Sequence, residues 1–203
     1  MESISPTKEK ETVPMPDKRE PKAANGAAPA APPKPTVSHM LGEMTWLLQQ
    51  SPLHRHFSIA DLEWMIMPPL MLEQYRIFRG NPNPPKDGEE ATPGTTPMGL
   101  ALWAMLGQEA EQKLNDMVMG GPMSGKGGPV KLRPDEWRSG DRLWLIDLIA
   151  PFATAENKLA QVMLADLTQN GLKHVLPKAR DGVLKLHKTD PKTGKREVLE
   201  VKG

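Results

Sequence analysis

Two residues in this chain could move protons, and each sits where its presence needs a reason. His54 lies in "QQSPLHRHFSI", directly after a proline-terminated helical pattern, so it is expected on a turn. An imidazole titrates near neutral pH and is the usual general base. Asp147 lies in "SGDRLWLIDLIAPF", a lone carboxylate among Leu143, Trp144, Leu145, Ile146, Leu148, Ile149 and Ala150. A charge buried in such a run is costly unless a donor meets it, and an arginine, a set of backbone amides or an imidazole would serve. On a strand, alternation places Asp147 with Leu145 and Ile149 on one face. The residues themselves support a candidate His–Asp pair, although each side chain taken singly is more often structural.

Other chemistry-bearing stretches lead nowhere comparable. "HRH", His54 to His56, offers two imidazoles, but the chain has no cysteine and no other histidine at matching short spacing, so no metal site is expected. "GGPMSGK", Gly120 to Lys126, meets the Gly-x-x-x-x-Gly-Lys part of a phosphate-binding loop. The next residue is Gly127 where Ser or Thr should hold the metal, and Gly127-Gly128-Pro129 does not open a helix, so a flexible surface loop is expected. Five tryptophans could stack on bases. They lie in a net acidic region, however, and phosphate neutralisation needs a basic footprint, so nucleic acid is not an expected partner.

The elements that must carry His54 and Asp147 can be read from periodicity. "SHMLGEMTWLLQQ" repeats Met40/Leu41, Met44 and Leu47/Leu48 at helical spacing, with Ser38 as N-cap and Ser51-Pro52 as its end. "SIADLEWMI" reads as a second helix capped by Ser58 and broken at Pro68-Pro69. "LMLEQYRIF" and "MGLALWAML" read as strands around a Pro/Gly-rich insert at 80–97. "GQEAEQKLNDMVM" is helical, with Ala110, Leu114, Met117 and Val118 on one face, and a second insert spans 120–134. The strand at 143–150 follows. Then comes a helix over "TAENKLAQVMLADL", with Thr154 as N-cap and Leu159, Val162, Met163 and Leu167 inside. The end is a hairpin around Asp190-Pro-Lys-Thr-Gly194. This order predicts a mixed α+β domain: one sheet with helices on its faces.

Composition sets the limits. Of the 203 residues, Pro and Gly supply 22 and 17, which is high for a wholly packed chain. Residues 1–36 hold eight prolines and six alanines and none of the aromatics, too little to offset ordering entropy, so they read as a disordered arm before a domain at 37–203. The first twenty residues lack an apolar core and do not read as a secretory signal, and no run of about 18 apolar residues predicts a membrane span. The lack of cysteine fits a reducing, cytoplasmic setting. Net charge is +1, but residues 171–203 carry nine Lys/Arg against four Asp/Glu, a basic end that reads first as a solvated surface hairpin and second as a face for an acidic partner.

"LGEMTWLLQQSPLHRHFSI", "GLALWAMLGQEAEQKLND" and "EWRSGDRLWLIDLIAPF" resemble, in order, blocks of the RTX-toxin-activating lysine acyltransferases, covering most of residues 40–152. After Phe152 the similarity becomes loose, the first 36 residues match nothing in the family, and the two inserts are longer than is typical. The resemblance implies a fold similar to the GNAT acetyltransferases: a twisted, mostly antiparallel sheet flanked by helices. It implies transfer of a fatty acyl chain from acyl-acyl carrier protein to the ε-amine of internal lysines of an RTX protoxin, with no bound cofactor. It also implies a homodimer, and it puts the catalytic positions at His54 and Asp147.

A lysine amine has a reference pKa of about 10.4 and must lose a proton before it attacks a thioester. His54 is therefore expected as the base, with Asp147 orienting its imidazole; an acyl-histidine route is the alternative. Ser51 is expected to fix the turn or place the acyl carbonyl. Trp103 and Trp144 are candidates for an acyl channel or for core. Arg142 and Arg138 are candidates for the phosphopantetheine or the acidic carrier protein, or for surface ion pairs. Two other readings stay open. One is a non-catalytic holding protein for a large secreted repeat protein on the same fold. The other is an acetyl-coenzyme A enzyme, disfavoured because "IAPFATAEN" lacks the glycines of a pyrophosphate loop.

Overall fold

The structure is a computed structural model that describes residues 35–81, 95–119, 131–190 and 193–202. Most of the predicted arm, the bodies of both inserts, the "GGPMSGK" loop and part of the hairpin turn lie outside the described residues.

Helix α1 spans Val37–Gln50 and buries Met40, Met44, Leu47 and Leu48. Its cap is Thr36, whose hydroxyl accepts from the His39 amide, rather than the expected Ser38, which falls inside the first turn. A single 3₁₀ turn at Ile59–Asp61 leads into α2 (Leu62–Met65), and α3 follows directly at Met67–Met71. The Pro68-Pro69 pair, expected to end helical structure, instead occupies the first turn of α3, where the missing amides have no intrahelical partner to lose. Leu70 to Leu72, read from sequence as strand, are therefore helical or turn. Glu73 then adopts a left-handed conformation (φ 56°) and releases the chain into β1, Tyr75–Gly80.

The remaining elements are β2 (Thr96–Leu106), α4 (Gln108–Met119), β3 (Arg142–Ile149), α5 (Leu159–Asp166), β4 (Val183–Thr189) and β5 (Arg196–Lys202). The five strands lie in sheet order β1-β2-β3-β4-β5. Every neighbouring pair is antiparallel except β3 and β4, which run parallel and are joined through α5. This is the expected mixed α+β arrangement with a mostly antiparallel sheet. The β3–β4 register is given by one pair, Trp144 with Lys185, while β3 continues to Ile149 along β2. Burial falls where that partner is lost: Leu143 to Leu145 are buried, but Ile146, Asp147 and Leu148 are only half-buried.

Apolar packing covers both faces. One cluster joins α1, α2, α3 and α4 to Leu100, Leu102, Ala104, Leu106, Trp144 and Ile149. The other joins Ala101, Trp103, Leu143 and Leu145 to Leu167, Leu172, Leu176 and Leu184. Helix α5 begins four residues later than expected. Thr154 and Asn157 close a reciprocal turn, each amide donating to the other's side-chain oxygen, and Lys158 (φ 48°) must turn left-handed before the helix starts. With only eight residues, α5 buries Met163 and leaves Val162, expected inside, 59% exposed. No helix among the described residues is long and apolar enough to cross a membrane.

Glu111 of α4 fastens the helix layer to the sheet. Its Oε1 accepts from the Trp144 indole (2.8 Å) and Lys185 Nζ (3.0 Å), and its Oε2 from Arg142 Nε (2.9 Å). The side chain is 16% exposed, so loss of this acceptor leaves the Trp144 indole without its partner in a poorly hydrated place, and leaves Arg142 and Lys185 only the more distant Asp141 and Glu200. Glu111→Ala is expected to cost about 2–4 kcal/mol in urea unfolding. Glu197→Ala, which breaks an exposed 4.0 Å pair with Lys188, should cost no more than about 0.5 kcal/mol. Equal costs for the two would remove Glu111 from this role.

Candidate active site

The turn after α1 is built by local chemistry. Ser51 precedes Pro52 and takes the extended conformation (φ −86°, ψ 122°) that a following proline requires. Its carbonyl accepts from the amides of His54 (3.1 Å) and Arg55 (3.0 Å), closing a tight turn with proline at the second position. The turn folds Ser51 back onto His54, and Ser51 Oγ lies 2.7 Å from His54 Nδ1. Because α1 packs on the sheet through Met44, Leu47 and Leu48, the turn at its end is delivered over β2 and β3.

Asp147 comes to the same place by a fault in the ladder. Leu102 pairs with Asp147, and Trp103 pairs with Leu145, so Ile146 has no partner on β2. This β-bulge puts one extra residue into β3 and interrupts its alternation. Leu143 and Leu145 face the second cluster, Trp144 and Ile146 the first, and after the bulge Asp147 and Ile149 stay on the first side. The expectation that Asp147 shares a face with Ile149 holds; the expectation that it shares one with Leu145 does not, and the bulge is the reason.

Asp147 Oδ2 is 2.9 Å from His54 Nε2. The side chains retain 27% and 11% exposure, so the carboxylate is shielded without being cut off from water. A carboxylate only accepts, so His54 donates through Nε2–H. The neutral ring then has its lone pair on Nδ1, and the Ser51 hydroxyl donates to it. The chain of groups is Ser51 O–H to His54 Nδ1, and His54 Nε2–H to Asp147: the connectivity of a serine–histidine–aspartate triad with the ring nitrogens exchanged. Ser51 is buried (6% exposed), and its hydroxyl is the group in line with the basic nitrogen.

The other expected site residues lie elsewhere. Trp103 is 5% exposed and packs in the cluster on the opposite face of the sheet. Trp144 is three residues back along β3, roughly 10 Å away, where its indole donates to Glu111 and stacks on His187 at 4.7 Å. Arg142 is held by Glu111 at 2.9 Å and by Asp141 at 3.6 Å. Arg138 donates to the Leu72 carbonyl at 2.8 Å. The readings of core for the tryptophans and of local pairing for the arginines describe these contacts.

Sequence reasoning passed over the aromatic wall of the site. Phe57 meets His54 edge to face at 5.5 Å, and Trp64 packs on Phe57 at 5.9 Å. Trp64 in turn donates its indole N–H to Asp61 (3.0 Å), which also accepts from the amide and hydroxyl of Ser58 (2.9 and 2.8 Å). The legible signal was Ser58-x-x-Asp61, a reach back to the cap.

The Trp64 indole, the Ser58 amide and hydroxyl, and the more distant Lys131 together hold the Asp61 carboxyl down at about 2, from an ordinary value of 3.8. A depressed carboxyl contributes stability that is complete above its unfolded value and is lost as pH falls toward the folded one. The Trp64 indole resonance is therefore expected to titrate with a midpoint at about 2. A midpoint at 3.8 would mean that these bonds do not hold in solution.

Comparison with known proteins adds independent information. The family model described as the RTX toxin acyltransferase family matches residues 34–201. The leukotoxin-activating lysine-acyltransferase LktC of a Pasteurella haemolytica-like species is 31% identical over 118 residues, 58% of this chain and 57% of that protein. The RTX-I toxin-activating lysine-acyltransferase ApxIC of Actinobacillus pleuropneumoniae is 34% identical over 113 residues, 56% of this chain and 52% of the relative. The protein-lysine myristoyltransferase HlyC of Escherichia coli is 29% identical over 167 residues, 81% of this chain and 75% of its own length. The chain thus spans little more than half the length of several curated relatives it matches. With a family model covering nearly all of the described fold, the chain belongs to the RTX toxin acyltransferase family.

Proposed function

We propose that this chain is a protein-lysine acyltransferase that moves a fatty acyl group from acyl-acyl carrier protein to the ε-amine of internal lysines of an RTX protoxin. Family membership and the printed activities of the relatives support the class of reaction. The observation that carries the reading for this chain is the hydrogen-bonded series Ser51, His54, Asp147. The parallel β3–β4 pair, whose register is given by Trp144 and Lys185, is compatible with the GNAT-like fold that the resemblance implies. A cytoplasmic setting, where acyl carrier protein is charged, and the homodimer that the resemblance implies belong to the same reading.

In this reading Asp147 fixes the tautomer and stabilises the imidazolium that forms. The incoming lysine first gives its ammonium proton to water; as the neutral amine attacks, it loses a second proton to Nδ1, either after the Ser51 hydroxyl swings aside or through that hydroxyl, which passes its own proton to Nδ1 as it takes one from nitrogen. The C–N bond forms as the thioester C–S bond breaks, and the imidazolium returns the proton to the departing thiolate. Direct attack by Nδ1 on the thioester, forming an acyl-imidazole, is the alternative route and requires the Ser51 hydroxyl to swing aside; proton relay through that hydroxyl does not.

The experiment is mass spectrometry of a candidate RTX protoxin after incubation with this protein and acylated carrier protein. A lysine-linked acyl mass is expected with the natural chain and none with His54→Ala. Asp147→Asn should reduce the rate by about 10³–10⁴-fold, because an amide can present an N–H to Nε2 and reverse the tautomer. Ser51→Ala should cost roughly tenfold if the hydroxyl only orients the ring and about 10²-fold or more if it carries the proton. Stable binding of the protoxin without acyl transfer, unchanged in His54→Ala, would favour a holding protein instead.

A further inference from the structure

A cleft of about 210 Å³ opens beside His54, walled by Leu48, Phe57, Ile59 and Leu62 and edged by Arg55. Phe57 is common to this wall and to the edge-to-face contact that braces the imidazole, so the cleft and the His54 ring share a surface. Among the described residues no carboxylate lines it; its ionisable lining groups are His54 and Arg55, and the nearby carboxylates of Asp147 and Asp61 are engaged by His54 and by Ser58 and Trp64. The two most exposed large apolar side chains among the described residues, Ile59 at 87% and Leu53 at 82%, flank the same turn. Of these two, Ile59 lines the cleft, and an exposed aliphatic side chain at the mouth of an apolar cleft marks a binding surface.

Resting on the acyl-transfer reading, we infer that this cleft receives the first methylenes of the acyl chain, and that Ile59 at its outer edge sets the preference for chain length. Charge separates the two substrates. A lysine-bearing segment brings an ammonium, which Arg55 repels and which no carboxylate of the cleft would pair. An acyl tail brings only apolar surface, which Leu48, Phe57 and Leu62 can cover at about 25 cal/mol per Å². Position fixes the role of Ile59. It lines the cleft and is 87% exposed, so it stands where the cleft opens to solvent. A chain too long for the cleft continues outward there, and the side chain it meets is Ile59. Short chains end inside, so a change at Ile59 acts on long chains more than on short ones.

Two measurements test this. In the first, carrier protein bearing a palmitoyl chain with a diazirine near the thioester is irradiated with the full-length protein, and the labelled peptide is identified. Label on the segment Phe57 to Leu62 is expected, with about tenfold less in Leu62→Asp, whose charge opposes an apolar ligand. In the second, palmitoyl and octanoyl donors compete for transfer. Ile59→Trp, at a surface position where folding is not at stake, is expected to lower the palmitoyl-to-octanoyl ratio by about tenfold. Transfer that proceeds with the label elsewhere and the ratio unchanged overturns this inference and leaves the proposed function standing. Label in the cleft without transfer to any protoxin does the reverse. Labelling by a photoreactive lysine peptide, in place of the acyl chain, would assign the cleft to the acceptor.

Discussion

Asp147 reaches His54 because Ile146 is left without a partner on β2. Without that extra residue, alternation would carry either Asp147 or the buried Trp144 to the wrong side of the sheet, and one of them would meet the wrong core. The bulge lets β3 keep Leu143 and Leu145 in one cluster, Trp144 in the other, and still present a carboxylate beside the helix layer. The opposing half is equally local: a Ser-Pro turn at the end of α1 sets an imidazole between a hydroxyl and that carboxylate. Two irregularities, 93 residues apart in sequence, meet in one hydrogen bond. The sheet and α1 hold them there.

The electrostatics of that bond follow from where β3 loses its parallel neighbour. Leu143 to Leu145 are buried beside β4, whereas Asp147 lies past the Trp144–Lys185 pair and keeps 27% exposure. Full burial would make the ion expensive, and full exposure would let water compete for the imidazole. Glu111 shows the contrasting solution in the same fold. More deeply shielded, it is satisfied by an indole, an ammonium and a guanidinium at once, and both of its oxygens are committed to holding α4 on the sheet. Asp147 has a donor in His54, and His54 has a donor in Ser51, which leaves a directional path for a proton rather than a closed cluster.

Much of this was legible in the residues. Helical spacing gave α1 and α4, alternation gave the C-terminal hairpin, and the lone carboxylate in "LWLIDLIA" pointed to a donor opposite it. The misses have physical causes. Pro68-Pro69 starts α3 instead of ending α2, because proline is tolerated in a first turn and the pattern alone does not say which turn it is. The delayed start of α5 depends on a left-handed Lys158, a conformation that lysine does not advertise. The bulge at Ile146 inserts an apolar residue into an apolar run, so nothing in composition marks it. Trp103 is on the far face of the sheet and Arg142 is bound to Glu111; both were plausible near the site only while strand faces and long-range partners were unknown.

The polarity of the Ser51–His54–Asp147 series is the claim on which the chemistry rests, and nitrogen-15 NMR of the histidine ring reads it directly. In its neutral form the His54 ring should be the tautomer protonated at Nε2, with Nδ1 shifted as an unprotonated nitrogen accepting a hydrogen bond. Ser51→Ala should move the Nδ1 resonance and leave Nε2 nearly unchanged, and Asp147→Ala should do the opposite. A ring protonated at Nδ1, with its lone pair turned to Asp147, would contradict the account, because the basic nitrogen would then face the carboxylate and not the path to substrate.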